Sequence, residues 1–295
     1  LVAFDAGKTT FRTAMYEDYK GGRSKTPGEF KEQMPYIREL ITALGVQYYE
    51  LDNYEADDII GTLAHKVDKE LFDVVVLSGD RDLTQLATDH VKVDITVKGV
   101  SEIESYTPEH VAEKYDGLAP LQIIDMKGLA GDASDNIPGV TKIGEKTAIK
   151  LLKEYGSVEG IYEHIDEMKP SKMKENLLND KETAFLSKKL ATIDVDAPVE
   201  VAIDSLKYEG KDLDKLIPFY QEMNFNSFLE KLNVVADPEE MEDILFDVVT
   251  EVTPEMFTED MALYVEMLGD NYHLEDIVGV AWGNQHKIYV TNQDD

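Results

Sequence analysis

The sequence predicts an α/β fold: a mostly parallel sheet flanked by helices, then a helical subdomain, then a partial α/β segment. Three observations carry this. Short apolar, β-branched runs alternate with amphipathic helical stretches from residue 1 to about residue 115, the pattern of βαβ units. From about 116 to 232 helical spacing continues, broken by Gly and Pro. After an acidic stretch, strand-like patterning returns between 233 and 295. These three stretches are the expected domains.

The elements follow in order. "VAFDAG" reads as a strand ending in Asp5. "GEFKEQMPYIRELITALG" (28–45) has helical apolar spacing and stops at Gly45. "VQYYEL" is a short strand, "EADDIIGTLAHKVDKE" an amphipathic helix, and "FDVVVLSGDRD" a buried strand running into a turn. "VKVDITVKG" is another strand. After "YTPEHVAEKYDG", the segments "PLQIIDMKGLAG", "GEKTAIKLLKEYG" and "SVEGIYEHI" are short helices. "KENLLNDKETAFLSKKLATI" is a longer helix, and "KDLDKLIPFYQEMNFNSFLEKL" closes the helical region. "NVVADPEEMED" reads as an acidic linker, and "ALYVEM", "EDIVGVAWG" and "HKIYVT" as three strands. There is no internal repeat.

A hydrophobic content of 43% over 295 residues describes a globular chain with a substantial core. No apolar run reaches the roughly 18 residues of a membrane span. The chain contains no cysteine, which excludes disulfides and thiolate metal sites and fits a cytoplasmic protein. It opens at Leu1 directly in a strand, and is expected to be a fragment. The net charge of -31 argues against a simple nucleic-acid binder. The distribution changes that picture. From Asp237 onward Lys287 is the only Lys or Arg, while basic residues gather at 19–25, 141–153 and 169–174.

"YEADDII" (54–60) crowds Glu55, Asp57 and Asp58 where an apolar helix begins. Two acids about 4 Å apart repel by roughly 4 kcal/mol at an effective dielectric of 20. A helix N-terminus, which favours acids, is the plain explanation. Two further clusters shift the balance. Asp80 and Asp82 lie just past a buried strand in "SGDRD", and Asp132 and Asp135 in "GDASDN". Asp5 ends another strand. Functional groups collect at the carboxyl ends of strands in open α/β sheets. Oxygen-only ligands select hard cations, so Mg²⁺ or Mn²⁺ is expected over Zn²⁺. The EF-hand pattern is absent, and eight carboxylates are too many for one ion. Two metals clamping a phosphoryl transfer would use this many.

"GVTKIGEKTAIK" nearly copies the phosphate loop, with Gly139 and Gly144 correctly spaced. Glu145 stands where the Lys must be, and the segment follows a helix rather than a strand, so a nucleotide loop is rejected. What remains is a tight hairpin before a helix bearing Lys146 and Lys150: either an anion site or an ordinary helix–helix turn. In "FRTAMYEDYKGGR", Arg12, Lys20 and Arg23 lie beside Tyr16 and Tyr19. Cations interleaved with aromatics suit a nucleic-acid strand threaded past them, or else a solvated surface segment.

Together, "VAFDAGKTTFR", "YKGGR", "YEADDIIG", "SGDRDLTQL", "GDASDNIPGV" and "IGEKTA" resemble the 5′-nuclease domain of bacterial DNA polymerase I, in the flap endonuclease superfamily. The motifs run in family order from residue 1 to about 155, with general similarity to about 232. The resemblance implies a 5′-nuclease (PIN-like) core with a helix–three-turn–helix subdomain, and a partial RNase H-like segment at the C-terminal end. It implies two metals: Asp5, Glu55 and Asp57 match the first-metal ligands, and Asp80, Asp82, Asp132 and Asp135 the second-metal group, with Asp58 assisting. Lys20 and Arg23 match the basic residues that grip the scissile phosphate, and Tyr19 a residue that stacks on a terminal base. Arg12 is expected on the same DNA-facing segment. The hairpin with Gly139, Lys142, Gly144, Lys146 and Lys150 matches the duplex-holding element, which often binds K⁺.

The implied activity is removal of 5′ flaps and RNA primers from nicked DNA, by a monomer with a polymerase domain in the same full-length chain. Two departures stand out. The family begins with a strand carrying another metal Asp, and this sequence starts after that point, so impaired activity is expected. In the exonuclease-like segment, Tyr264 stands where the active pattern has Asp, with Glu266 alone, so no 3′→5′ activity is expected. The alternatives are another two-metal phosphoryl-transfer domain, since D-x-D also occurs in topoisomerase–primase modules, and a non-catalytic DNA-junction-binding remnant.

Overall fold

A computed structural model describes residues 1–7, 9–23, 27–99, 101–232, 246–267, 277–284 and 287–291. The expected acidic linker lies outside them, as does Lys25 of the first basic patch. Two compact units divide the chain, Leu1–Phe219 and Tyr220–Asp295. The expected boundary near 115 falls inside the first. Among the described residues no helix is long and apolar enough to cross a membrane.

In the first unit, β1 (Val2–Phe4) is followed by α1 (Phe11–Met15) and α2 (Gly28–Ala43). Then come β2 (Tyr48–Glu50), α3 (Ala56–Lys66), β3 (Val74–Ser78) and a 3-10 turn, Arg81–Leu86. β4 (Val91–Lys98) and β5 (Glu102–Tyr106) complete its strands. The fold is α/β as expected, but the sheet is divided. β1 pairs with β2 in parallel, Val2 opposite Tyr48. β3 pairs with β4 in parallel, Val74 opposite Val91, and β5 returns antiparallel along β4. β5 has no counterpart in the sequence reading. "EIESY" alternates polar and apolar residues weakly, and pairing along β4 decides its conformation.

The helical region holds α4 (Pro108–Lys114), α5 (Gln122–Ala130), α6 (Glu145–Tyr155) and α7 (Val158–Glu163). The long helix expected over 174–193 is two, α8 (Lys172–Asn179) and α9 (Lys181–Ala191), and the last is likewise split into α10 (Leu213–Glu222) and α11 (Asn226–Lys231). The former breaks at Asp180, whose backbone leaves the helical region (φ -103, ψ 22) while its carboxylate accepts a hydrogen bond from Thr141 N at 2.8 Å.

One core joins these layers. Leu83, Val93, Ile95 and Tyr106 from the strand region and Leu129, Leu152, Ile161 and Leu177 from the helices are buried in the same cluster. Each such side chain contributes ~1.5–3 kcal/mol on burial. α3 packs closely on the chain after α9: a Cβ on Gly61 would stand 2.6 Å from Ile193 Cγ2. This packs the middle of α3 against the segment that follows α9.

The second unit carries β6 (Phe246–Val248), β7 (Ala262–Met267), β8 (Ile277–Gly283) and β9 (Ile288–Thr291), in spatial order β6-β9-β8-β7. Its buried centre is Trp282, stacked between Phe257 and Tyr289 at centroid distances of 5.3 and 5.4 Å.

Candidate active site

The acids at the start of α3 do what a helix N-terminus asks of them. Asp5 accepts from Ala56 N at 2.8 Å, and Asp58 from Glu55 N at 3.0 Å. Free N–H groups of the first turn are thereby satisfied. That explains Asp5 and Asp58 locally but leaves Asp57 facing other carboxylates. Burial, then Asp80, Glu55 and Asp5, push the Asp57 carboxyl up to about 7, with Lys20 opposing.

Glu55 is the hub. Its Oε1 accepts from Lys20 Nζ at 2.7 Å. Its Oε2 accepts from Tyr19 Oη at 3.1 Å and Arg12 Nη1 at 3.3 Å. Tyr19 Oη also reaches Asp135 Oδ2 at 3.4 Å, and Arg23 pairs with Asp135 Oδ1. The "YKGGR" segment therefore docks onto the "GDASDN" loop. Lys20 N donates to Asp135 O at 2.9 Å, and Asn136 Nδ2 to Asp18 O at 2.8 Å. Two motifs more than a hundred residues apart meet here.

On the other side, Asp80 is exposed and caps the 3-10 turn, accepting from Asp82 N at 2.9 Å. Lys127, from α5, bridges Asp82 and Asp132, with Nζ 2.5 Å from Asp132 Oδ2. Burial raises the Asp82 carboxyl despite Lys127. Burial would raise Asp132 too, but Lys127 and Ser134 hold it at about 2. Lys127 was missed from the sequence. Its one signal is a lone cation in the mostly apolar run "QIIDMKGLA".

Three expectations are corrected. Arg12 does not face DNA. It is buried, with Nη1 and Nη2 on Asp58 and further bonds to Leu190 O and Thr192 O. Burial would lower its guanidinium, but Asp58 and Glu55 outweigh that and push it up. Asp58 is fully buried with both oxygens on Arg12, so it has no face for a metal or its water. Tyr19 is buried as well, so its ring offers no stacking surface; burial, then Glu55 and Asp135, push its phenol up.

The remaining acids form an all-oxygen donor set in a chain without cysteine, which fits a hard divalent cation. Among the described residues no three His or carboxylate groups already stand close enough to hold one ion. Lys20, Arg23 and Lys127 take the oxygens instead.

The glycine hairpin joins α5 to α6, two helices, which agrees with rejecting a nucleotide loop. Gly139 has φ +64, and a Cβ there would meet Gly131 N at 2.2 Å, so only glycine fits. Ser187 Oγ accepts from Gly139 N at 3.0 Å, and Asn176 Nδ2 donates to Thr141 O at 2.9 Å. Gly144, Lys142, Lys146 and Lys150 are exposed. Among the described residues none of these three lysines makes an ion pair, unlike Lys20 and Lys127.

An α/β core gathering acids at strand ends and a helix start, followed by a lysine-bearing helical hairpin, defines the class: a resolvase-like domain joined to a helical SAM-type domain. Family models place both parts. Residues 1–116 match the 5′-3′ exonuclease N-terminal resolvase-like domain, and residues 118–214 its C-terminal SAM fold. The chain belongs to the 5′-3′ exonuclease family. Residues 263–295 match the DNA polymerase I ribonuclease H-like domain. DNA polymerase I of Streptococcus pneumoniae is 54% identical over 293 residues, 99% of this chain and 33% of that protein. The Bacillus subtilis enzyme is 53% identical over 298 residues, 100% of this chain and 34% of that protein. The chain thus spans about a third of the length of these relatives. A structure of T5 5′-exonuclease with divalent metal ions (zinc) bound aligns with a TM-score of 0.57 at 26% identity, covering 76% of this chain and 82% of that one.

Proposed function

We propose that the chain is a structure-selective 5′ nuclease of a DNA polymerase I, hydrolysing phosphodiesters at 5′ flaps, nicks and RNA primers. The observation that carries this is the docking of "YKGGR" on the acids: Lys20 on Glu55 at 2.7 Å, and Arg23 on Asp135. Cations that grip a phosphate thereby stand beside carboxylates that hold metals. Asp5, Glu55 and Asp57 would hold one divalent ion, and Asp80, Asp82, Asp132 and Asp135 another, Mg²⁺ or Mn²⁺. Bound there, such ions supply water activation and neutralise charge at the phosphate.

The protein's own groups do the rest. Lys20 and Arg23 exchange their carboxylates for the phosphate as it arrives, and orient it towards the acids. Lys142, Lys146 and Lys150 hold duplex backbone beyond the cut, and the Gly139–Gly144 hairpin would hold a K⁺ that, when bound, supplies a further positive charge there. Arg12, Tyr19 and Asp58 are buried supports. The T5 5′-exonuclease structure with divalent ions (zinc) bound supports the use of divalent metal. The protein works as a cytoplasmic monomer with its polymerase domain in the same chain. We further propose no 3′→5′ activity: Tyr264 spends its hydroxyl on Glu266 at 2.6 Å.

The test is Asp80→Asn, whose side chain is exposed and supports no core. Cleavage should vanish while duplex binding survives. Equal loss of both would undercut the ligand assignment.

A further inference from the structure

We propose that Lys127 is an internal counter-cation, occupying the place between Asp82 and Asp132 that a divalent cation must take, and is displaced when the ion binds. The inference rests on assigning those two acids to a metal.

Three elements converge there. The last turn of α5 closes with Gly131 N donating to Lys127 O at 2.8 Å, which fixes Lys127 at the helix end. Gly131 then turns the chain into Asp132. Asp82 comes from the 3-10 turn after β3. The side chains of Lys127, Asp82 and Asp132 are only 14%, 20% and 16% exposed, so water cannot stand in for the partners. A partly buried ammonium is tolerable only when paired, and the same holds for the two acids.

Three of the four carboxylate oxygens already accept hydrogen bonds. Asp132 Oδ1 accepts from Ser134 N and Ser134 Oγ at 2.8 and 2.6 Å, and Oδ2 accepts from Lys127. Asp82 Oδ1 is likewise on Lys127. An ion bridging the two acids where Lys127 now stands takes the lone pairs on Asp82 Oδ1 and Asp132 Oδ2 that the lysine uses, and two cations side by side repel. The lysine therefore keeps the acids together and offsets half of their charge before metal arrives. It also weakens the site by competition, while Lys20 and Arg23 face the other acids and do not substitute for it.

The experiment is Mn²⁺ titration read by the EPR signal of the free ion, without DNA, on wild type, Lys127→Met and Lys127→Arg. Met keeps the length and removes the charge. We expect the weaker class of Mn²⁺ sites to tighten on the order of tenfold in Lys127→Met, and to stay as in wild type in Lys127→Arg. A melting curve without metal should fall for Lys127→Met and recover with Mn²⁺. A second measurement uses wild type alone: acylation of Lys127 by an amine-reactive reagent, read on its peptide, should accelerate in saturating Mg²⁺. Unchanged Mn²⁺ affinity in a folded Lys127→Met, or acylation indifferent to Mg²⁺, overturns the proposal. Wild type that binds no Mn²⁺ overturns it together with the metal assignment, whereas bound Mn²⁺ with no tightening overturns it alone.

Discussion

Arg12 holds both carboxylate oxygens of Asp58, Nη1 at 2.8 Å and Nη2 at 2.7 Å, inside the protein. The same guanidinium ties the C-terminal end of α9 through Leu190 O and Thr192 O. One buried ion pair thus clamps α1, the start of α3 and the end of α9. Removing one partner of such a pair strands a buried charge and costs about 3–5 kcal/mol. Arg12→Met should lower stability by that amount in urea unfolding. Arg12→Met with Asp58→Leu should recover part of it, because no charge is then left unpaired. A double variant as unstable as the single one would deny the pairing its role.

The exposed hairpin lysines make a separable prediction. Each phosphate contact contributes about 0.9 to the slope of log K against log salt. Replacing Lys142, Lys146 and Lys150 by Gln should weaken duplex binding equally for unrelated sequences and flatten that slope by roughly 0.9 per lysine. Fluorescence anisotropy at several salt concentrations measures both. An unchanged slope would return the hairpin to an ordinary helix–helix turn.

Glu104 supplies a pH test away from the acids. Lys114 at 2.8 Å and His110 at 3.1 Å hold its carboxyl down to about 2. A free Glu titrates near 4.3. The folded form therefore binds fewer protons than the unfolded one between these values. The stabilisation is complete above pH ~4.3 and is lost as pH falls towards 2. The stability gap between wild type and Glu104→Gln should shrink as pH falls from about 5 towards 2. A gap independent of pH would contradict the assignment.

The acid motifs were legible because each sits at the edge of an apolar element, where pattern and chemistry coincide. The burial of Arg12 was not. Its carbonyl partners lie 178 and 180 residues away, and "FRTAMYEDYKGGR" reads as a surface segment from local composition alone. Tyr19 was misplaced for the same reason: Ile124, Ile137 and Leu190 cluster with its ring, Glu55 and Asp135 take its hydroxyl, and none is a sequence neighbour. Lys127 gave almost no signal, since a lysine in an apolar helix is usually one that extends to solvent. The single parallel sheet was expected from strand–helix alternation, which does not say whether neighbouring strands pair. β1 and β3 each pair on one edge only among the described residues.

The central claim is metal-dependent cutting at a 5′ junction. A 3′-labelled flap substrate should be incubated with Mg²⁺ or EDTA and either this chain or the chain carrying the family's first strand ahead of Leu1. Cleavage near the flap junction by the extended chain, with Mg²⁺ and not with EDTA, is the predicted result. Junction binding without cleavage by either protein would contradict the nuclease reading and leave a DNA-binding remnant.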